Sequence, residues 1–256
     1  MFLLRSLTFV AALTALLALP VHAAMIGVNF EGQASTGTGT SIGPTRTASV
    51  EPQSNWNDAT SGYSVLSNLT DDAGAVTSTS FDPDKGTETF NSYVTIGGSS
   101  PGDNYLMRGY VKGSASNPVS VTVAALDATA FARYDVIIYF DGDNSAADWV
   151  TAYALAVGGT TVATIYGKDS RDTSNWDGSW VEATGTTAAD AVPGNYVRFT
   201  GLTGSGFTLT ATPDAGSGPI NAIQIISVPE PASLALLVLG AVAALATRTK
   251  QSRSRR

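Results

Sequence analysis

The sequence predicts an all-β fold, a two-sheet sandwich of the jelly-roll kind, bracketed by an N-terminal signal peptide and a C-terminal transmembrane helix. Three observations carry this. Residues 24–227 alternate short apolar runs with clusters of Gly, Asn, Asp and Pro, the punctuation of strands and turns. No helix-period segment of convincing length falls within that span. Both ends of the chain instead hold unbroken apolar runs beside basic residues.

In chain order, residues 1–23 read as a secretory signal peptide. Arg5 supplies the basic start, Leu7 to Leu19 form an uncharged apolar run, and Pro20 ends it. Val21-His22-Ala23 places small residues at the −3 and −1 positions, so cleavage is expected after Ala23, with Ala24 the next choice. The ectodomain, 24–227, offers strands at 26–30, 105–111, 119–126, 134–140, 152–157, 161–166, 180–183, 196–200, 207–211 and 220–227. Val136, Ile138 and Phe140 alternate with Ile137 and Tyr139, so that strand is apolar on both faces and belongs inside a sheet. Gly158-Gly159 lies between two strand-like runs and reads as a tight hairpin turn. Residues 31–62 and 67–103, dominated by Gly, Ser, Thr and Asp, read as long loops. The final segment is 228–256. It carries Pro229-Glu230-Pro231, an apolar run from Ala232 to Ala246, and a basic tail of Arg248, Lys250, Arg253, Arg255 and Arg256. About 15 apolar residues reach ~22 Å as a helix, short of a ~30 Å hydrocarbon core unless flanking residues complete the span. The basic tail favours retention on the cytoplasmic side, with the ectodomain outside.

That ordered C-terminus resembles the PEP-CTERM sorting segment: Pro229, Glu230 and Pro231 match the motif, Leu234 to Ala246 the helix, and Arg248 to Arg256 the tail. The resemblance implies processing by an exosortase, a membrane-embedded cysteine transpeptidase that recognises the Pro-Glu-Pro region. It also implies transient anchorage in the inner membrane, then delivery to the cell surface or extracellular matrix. On the residues alone, a plain tail anchor is the alternative. Ile26-Gly27-Val28-Asn29-Phe30 and Pro219-Ile220-Asn221-Ala222-Ile223-Gln224-Ile225 are in turn similar to the opening and closing strands of galactose-binding-like and malectin-like jelly rolls. This second resemblance implies that the first and last strands are neighbours and that the ligand is carbohydrate, such as an extracellular polysaccharide. No binding residue of that group can be matched here.

Composition excludes whole classes of chemistry. The chain has no cysteine, and its one histidine, His22, leaves with the signal peptide. The mature domain therefore lacks thiolate and imidazole, which removes His-based triads, Cys-His dyads and ordinary zinc, copper or haem sites. Between residues 24 and 228 there are 20 acidic and 8 basic residues, about −12 against −7 for the whole chain. Nucleic acid needs a positive footprint, so it is not an expected partner.

The remaining chemistry is oxygen and indole. Trp56, Trp149, Trp176 and Trp180 all sit near Gly, Asn or Asp, and indole faces stack on sugars while neighbouring amides and carboxylates bond hydroxyls. Asn175-Trp176-Asp177-Gly178-Ser179-Trp180 is the densest such stretch; the bland alternative is that these rings cap the sandwich core. Two oxygen-rich clusters, Asp82, Asp84 and Glu88, and Asp141, Asp143 and Asn144, have the donor set of a structural Ca2+ ion, or are solvated turns. No cofactor is required. The reading is a secreted, non-catalytic surface or matrix protein that binds exopolysaccharide. The alternatives are a purely structural matrix or surface-layer protein and, further off, a glycosidase built on two facing carboxylates.

Overall fold

Strand-forming residues and turn residues alternate through the chain, and the computed structural model follows that alternation. It describes residues 23–31, 41–60, 63–84, 88–91, 101–142, 144, 147–171 and 176–229. Apart from Ala23, Val228 and Pro229, the signal peptide expected over 1–23 and the sorting segment expected over 228–256 lie outside the described residues. Among the described residues no helix is long and apolar enough to cross a membrane.

The elements in order are β1 (Met25–Phe30), β2 (Asn57–Ala59), β3 (Ser80–Asp84), β4 (Glu88–Asn91), α1 (Pro101–Leu106), β5 (Gly109–Gly113), β6 (Val119–Ala124) and β7 (Tyr134–Tyr139). There follow β8 (Trp149–Val157), β9 (Thr160–Asp169), β10 (Val192–Pro193), β11 (Tyr196–Leu202), β12 (Phe207–Ala215), β13 (Gly218–Ile220) and β14 (Ala222–Ser227). Two sheets form the sandwich, ordered β11-β7-β14-β1-β2 and β10-β9-β8-β12-β6-β3, and a third small sheet is β13-β5-β4. Among the described strands, all pairings are antiparallel except β1–β2 and β9–β10. β1 and β14 pair directly, Met25 opposite Ile226, so the first and last strands are neighbours.

β7 explains its own sequence. Val136 and Ile138 point into the core between the two large sheets, with Ile26, Val28, Ile223 and Ile225 of the same sheet and Val121, Leu155 and Leu209 of the other. Ile137 and Tyr139 point the other way, into a second apolar layer with Trp56, Leu106, Met107, Trp176, Tyr196 and Ala222. Each fully buried side chain of this size stabilises the fold by ~1.5–3 kcal/mol. The β8–β9 hairpin turns at Gly158 and Gly159, whose φ values of 57° and 80° are the left-handed pair that a two-residue turn requires.

Four expectations need correction. The strand expected over 105–111 begins only at Gly109; Tyr105 and Leu106 close α1, which starts on Pro101 where a missing N–H costs nothing. Residues 180–183 form no strand beyond an isolated bridge from Glu182 to Tyr196, because Trp180 is packed on other rings. The polar stretches read as loops contain β2, β3, β4 and α1; in β3, Phe81 and Pro83 are buried between exposed Asp82 and Asp84. The expected strand over 220–227 is broken at Asn221, where the chain passes from β13 to β14. Its Nδ2 donates to the Met107 carbonyl at 3.0 Å and its Oδ1 accepts from the Asp141 N–H at 2.6 Å.

Candidate functional site

β7 runs into Phe140, Asp141 and Gly142 at one end of the sandwich, and β9 ends there at Asp169. The segment around 176–181 and the turn at 193–195 close over both. Between them lies a cavity of about 110 Å3 lined by Asp141, Asp169, Trp176, Asp177, Val181, Pro193, Gly194 and Asn195.

Backbone amides hold the two inner carboxylates. Asp141 Oδ2 accepts from the Trp176 N–H at 2.7 Å, and Asp169 Oδ2 accepts from the Gly142 N–H at 2.8 Å. The chain can pass so close only because residue 142 is glycine: a Cβ there would lie 2.3 Å from the Trp149 ring. Burial pushes the Asp169 carboxyl up to about 8, and the Asp148 charge adds to this; the bonds from Gly142 and Asn144 pull the other way. Asn144 donates from Nδ2 to the Asp169 carbonyl at 2.6 Å, while its Oδ1, fully enclosed, has no hydrogen-bond partner. Asn195 shapes the lip, accepting from the Val181 N–H at 3.0 Å and donating to the Ser179 carbonyl at 2.7 Å.

Several residues singled out by sequence therefore meet here. Trp176, Asp177, Asp141 and Asn144, drawn from the aromatic stretch and one acidic cluster, gather at one pole of the sandwich. Trp176 is 4% exposed, its indole N–H donates to the Ser179 carbonyl at 2.9 Å, and its ring lies 4.7 Å from that of Trp180. Trp180 is half-buried, edge-on to Tyr139 at 5.1 Å. Trp149 is also half-buried, with Lys112 Nζ 5.5 Å from its ring centroid. Trp56 is elsewhere, buried against Gly27 with its N–H bonded to the Gln53 carbonyl at 3.1 Å. The bland expectation thus describes Trp56 and the faces of Trp176, which cap core. Asp82 and Asp84 are exposed on the outer side of β3. Asn175, Asp143, Glu230, Pro231, the five basic tail residues and the Glu88 side chain lie outside the described residues, and Pro229 is exposed. Among the described residues no three Asp, Glu, His or Cys side chains converge on a metal-sized point. Sequence reasoning missed Asp169 and Asn195; Pro193-Gly194-Asn195 is a turn signal that could have drawn attention to the second.

At the other limit of the domain, β14 ends at Ser227, and the Val228 N–H donates to the Arg133 carbonyl at 2.8 Å. Residues 227–251 match the PEP-CTERM protein-sorting motif. The chain carries a PEP-CTERM sorting segment. That segment implies an exported, exosortase-processed surface protein, and the sorting sequence begins on the last residue of the last strand. No curated protein matches the sequence. Among solved structures the chain is similar to Bacteroides uniformis β-glucuronidase 2 bound covalently to cyclophellitol-6-carboxylate aziridine (TM-score 0.44, 11% identity, 80% of this chain and 18% of that one). It is also similar to the ANX2 ectodomain from Arabidopsis thaliana (TM-score 0.47, 10% identity, 82% of this chain and 51% of that one). It thus spans about a fifth and about half of those chains.

Proposed function

We propose that this PEP-CTERM protein is a non-catalytic surface or matrix protein whose sandwich binds a polysaccharide, with one sugar residue or chain end seated in the polar cleft at the β7–β9 pole. The observation that carries the reading is the lining of that cleft. Carboxylates of Asp141, Asp169 and Asp177 and the amide of Asn195 stand beside the Trp176 indole. Sugar hydroxyls are met by such acceptors, while the buried faces of Trp176 are spent on the core and its edge serves only as wall. A cavity of about 110 Å3 is well below the ~300–1,000 Å3 of drug-sized sites, which suits a single residue and not a long buried chain. Catalysis is not proposed: the inner carboxylates, each fixed by one backbone N–H, keep acceptor sites that suit them to holding hydroxyls.

The test is titration of the protein with size-fractionated exopolysaccharide from its host, read by tryptophan fluorescence. Saturable quenching is expected, weakened about tenfold or more in Asp177→Ala, a substitution at an exposed position. Absence of any response would sink the binding reading and leave a structural matrix role. New reducing ends during incubation would instead establish a glycosidase.

A further inference from the structure

We propose that the floor of the same cleft is a cation site, with calcium as the ion its donors suit, held by Asp141, Asp169 and Asn144. Among the described residues, the groups hydrogen-bonded to the Asp169 carboxylate are neutral, the Gly142 N–H and the Asn144 amide, although the residue is 4% exposed. Lys168, the adjacent residue in sequence, turns its Nζ to Asp148 at 3.6 Å. Among the described residues lining the cleft none is basic, and three are acidic. A buried carboxylate is tolerated when a countercharge or full hydrogen bonding replaces water, and the protein supplies only part of this.

Asn144 gives the second, independent sign. It is 2% exposed, and its Nδ2 is committed to the Asp169 carbonyl at 2.6 Å. The same amide also bonds the Asp169 side chain, and its Oδ1 is enclosed with nothing donating to it. Buried amide oxygens are otherwise almost always satisfied. Asp141 brings a third oxygen donor to the cleft, reached from the end of β7 only three residues before Asn144. Carboxylate and amide oxygens without nitrogen or sulfur are the donors of a hard cation. Calcium takes six to eight oxygens in irregular geometry, whereas magnesium demands a near-ideal octahedron. Two carboxylates lining a small cavity, with the enclosed Asn144 amide bonded to one of them, fit the former, with waters or sugar hydroxyls completing the shell.

Terbium luminescence on the full-length protein in detergent tests this, since the Trp176 indole at the cleft would sensitise a bound Tb3+. Expected are saturable emission, displacement by Ca2+, and a Ca2+-dependent rise in Tm that a chelator reverses. In Asp169→Asn the apparent Tb3+ affinity should fall at least tenfold and the Tm shift should vanish. Asn144→Asp keeps the shape and charges the orphan oxygen, so it should make Tm more dependent on Ca2+. Absence of sensitised emission and of a Ca2+-dependent Tm in the wild type overturns the site. So does an unaltered response in Asp169→Asn, which would place the ion elsewhere. Neither readout involves saccharide, so this proposal and the polysaccharide reading fail separately.

Discussion

The two faces of the five-stranded sheet are both buried, yet they are built from different chemistry. The inner face presents Ile26, Val28, Val136, Ile138, Ile223 and Ile225 to a second sheet and is almost purely hydrocarbon. The outer face presents Ile137 and Tyr139 but also Gln224, which is fully buried, to the segment 41–56, α1 and the segment 176–182. A sheet satisfies its own backbone and asks its cover only for shape. A loop cannot do so, and its buried amides and carbonyls must find partners on the surface they cover. Hence the Tyr139 hydroxyl accepts from the Val50 N–H at 3.2 Å and donates to Gln224 Oε1 at 2.8 Å. Gln224 Nε2 in turn donates to the Glu51 carbonyl at 2.7 Å and to Gln53 Oε1 at 2.9 Å. The cleft lies where this polar face meets the end of the sandwich, which is why its carboxylates are held by loop amides.

The comparison predicts different failures on the two faces. Ile138→Ala on the inner face should cost about 2–5 kcal/mol, through lost burial and a cavity the two sheets close incompletely. Equilibrium denaturation should show a lower midpoint with an unchanged slope. A loss near zero would mean the inner face is not the main source of stability. Tyr139→Phe on the outer face removes one oxygen and leaves the Val50 N–H and Gln224 Oε1 each short of a partner, at about 1–3 kcal/mol. Its signature is local: amide exchange at Val50 should accelerate more than exchange in β6 or β12. Burial holds the Tyr139 hydroxyl well above the usual phenol range, so it keeps its proton and donates throughout ordinary pH. Uniform acceleration would mean that the loop is held by packing alone.

The same division explains what the sequence disclosed. The double apolar character of Val136 to Phe140 marked an internal strand, and the two cores it feeds are the reason. Regular alternation and the Gly158-Gly159 turn located the sandwich strands because sheet-on-sheet burial writes a period of two. Loop-covered surface writes no period. Tyr105 to Val111 mixes aromatic and β-branched residues and reads as a strand, although Pro101 and Asp103 were legitimate signs of a helix start. Asp169 was illegible, since Gly167-Lys168-Asp169-Ser170-Arg171 looks like a solvated turn. Its burial comes from strands and loops distant in sequence, Gly142 and the 176–181 segment among them.

If outer-face staples matter because they are buried, an equally complete staple in solvent should matter little. Asp190 provides one beside β10: its carboxylate accepts from the Thr186 N–H at 2.8 Å, the Thr187 N–H at 2.6 Å and the Thr186 hydroxyl at 2.8 Å. These bonds, with the Thr187 N–H foremost, hold its pKa below the ordinary aspartate value, although the group is fully exposed. A lowered folded-state pKa means that the contribution is present above the unfolded value and is lost as pH falls through the folded one. Acidification below the ordinary carboxylate range should therefore release the bonds to Thr186 and Thr187, seen as movement of both amide resonances while those of β7 and β14 stay in place. Asp190→Asn should reproduce that local change at neutral pH and leave the global unfolding midpoint where it was. A midpoint shift as large as that of Tyr139→Phe would refute the distinction, because water competes for the Asp190 bonds and does not reach those of Tyr139.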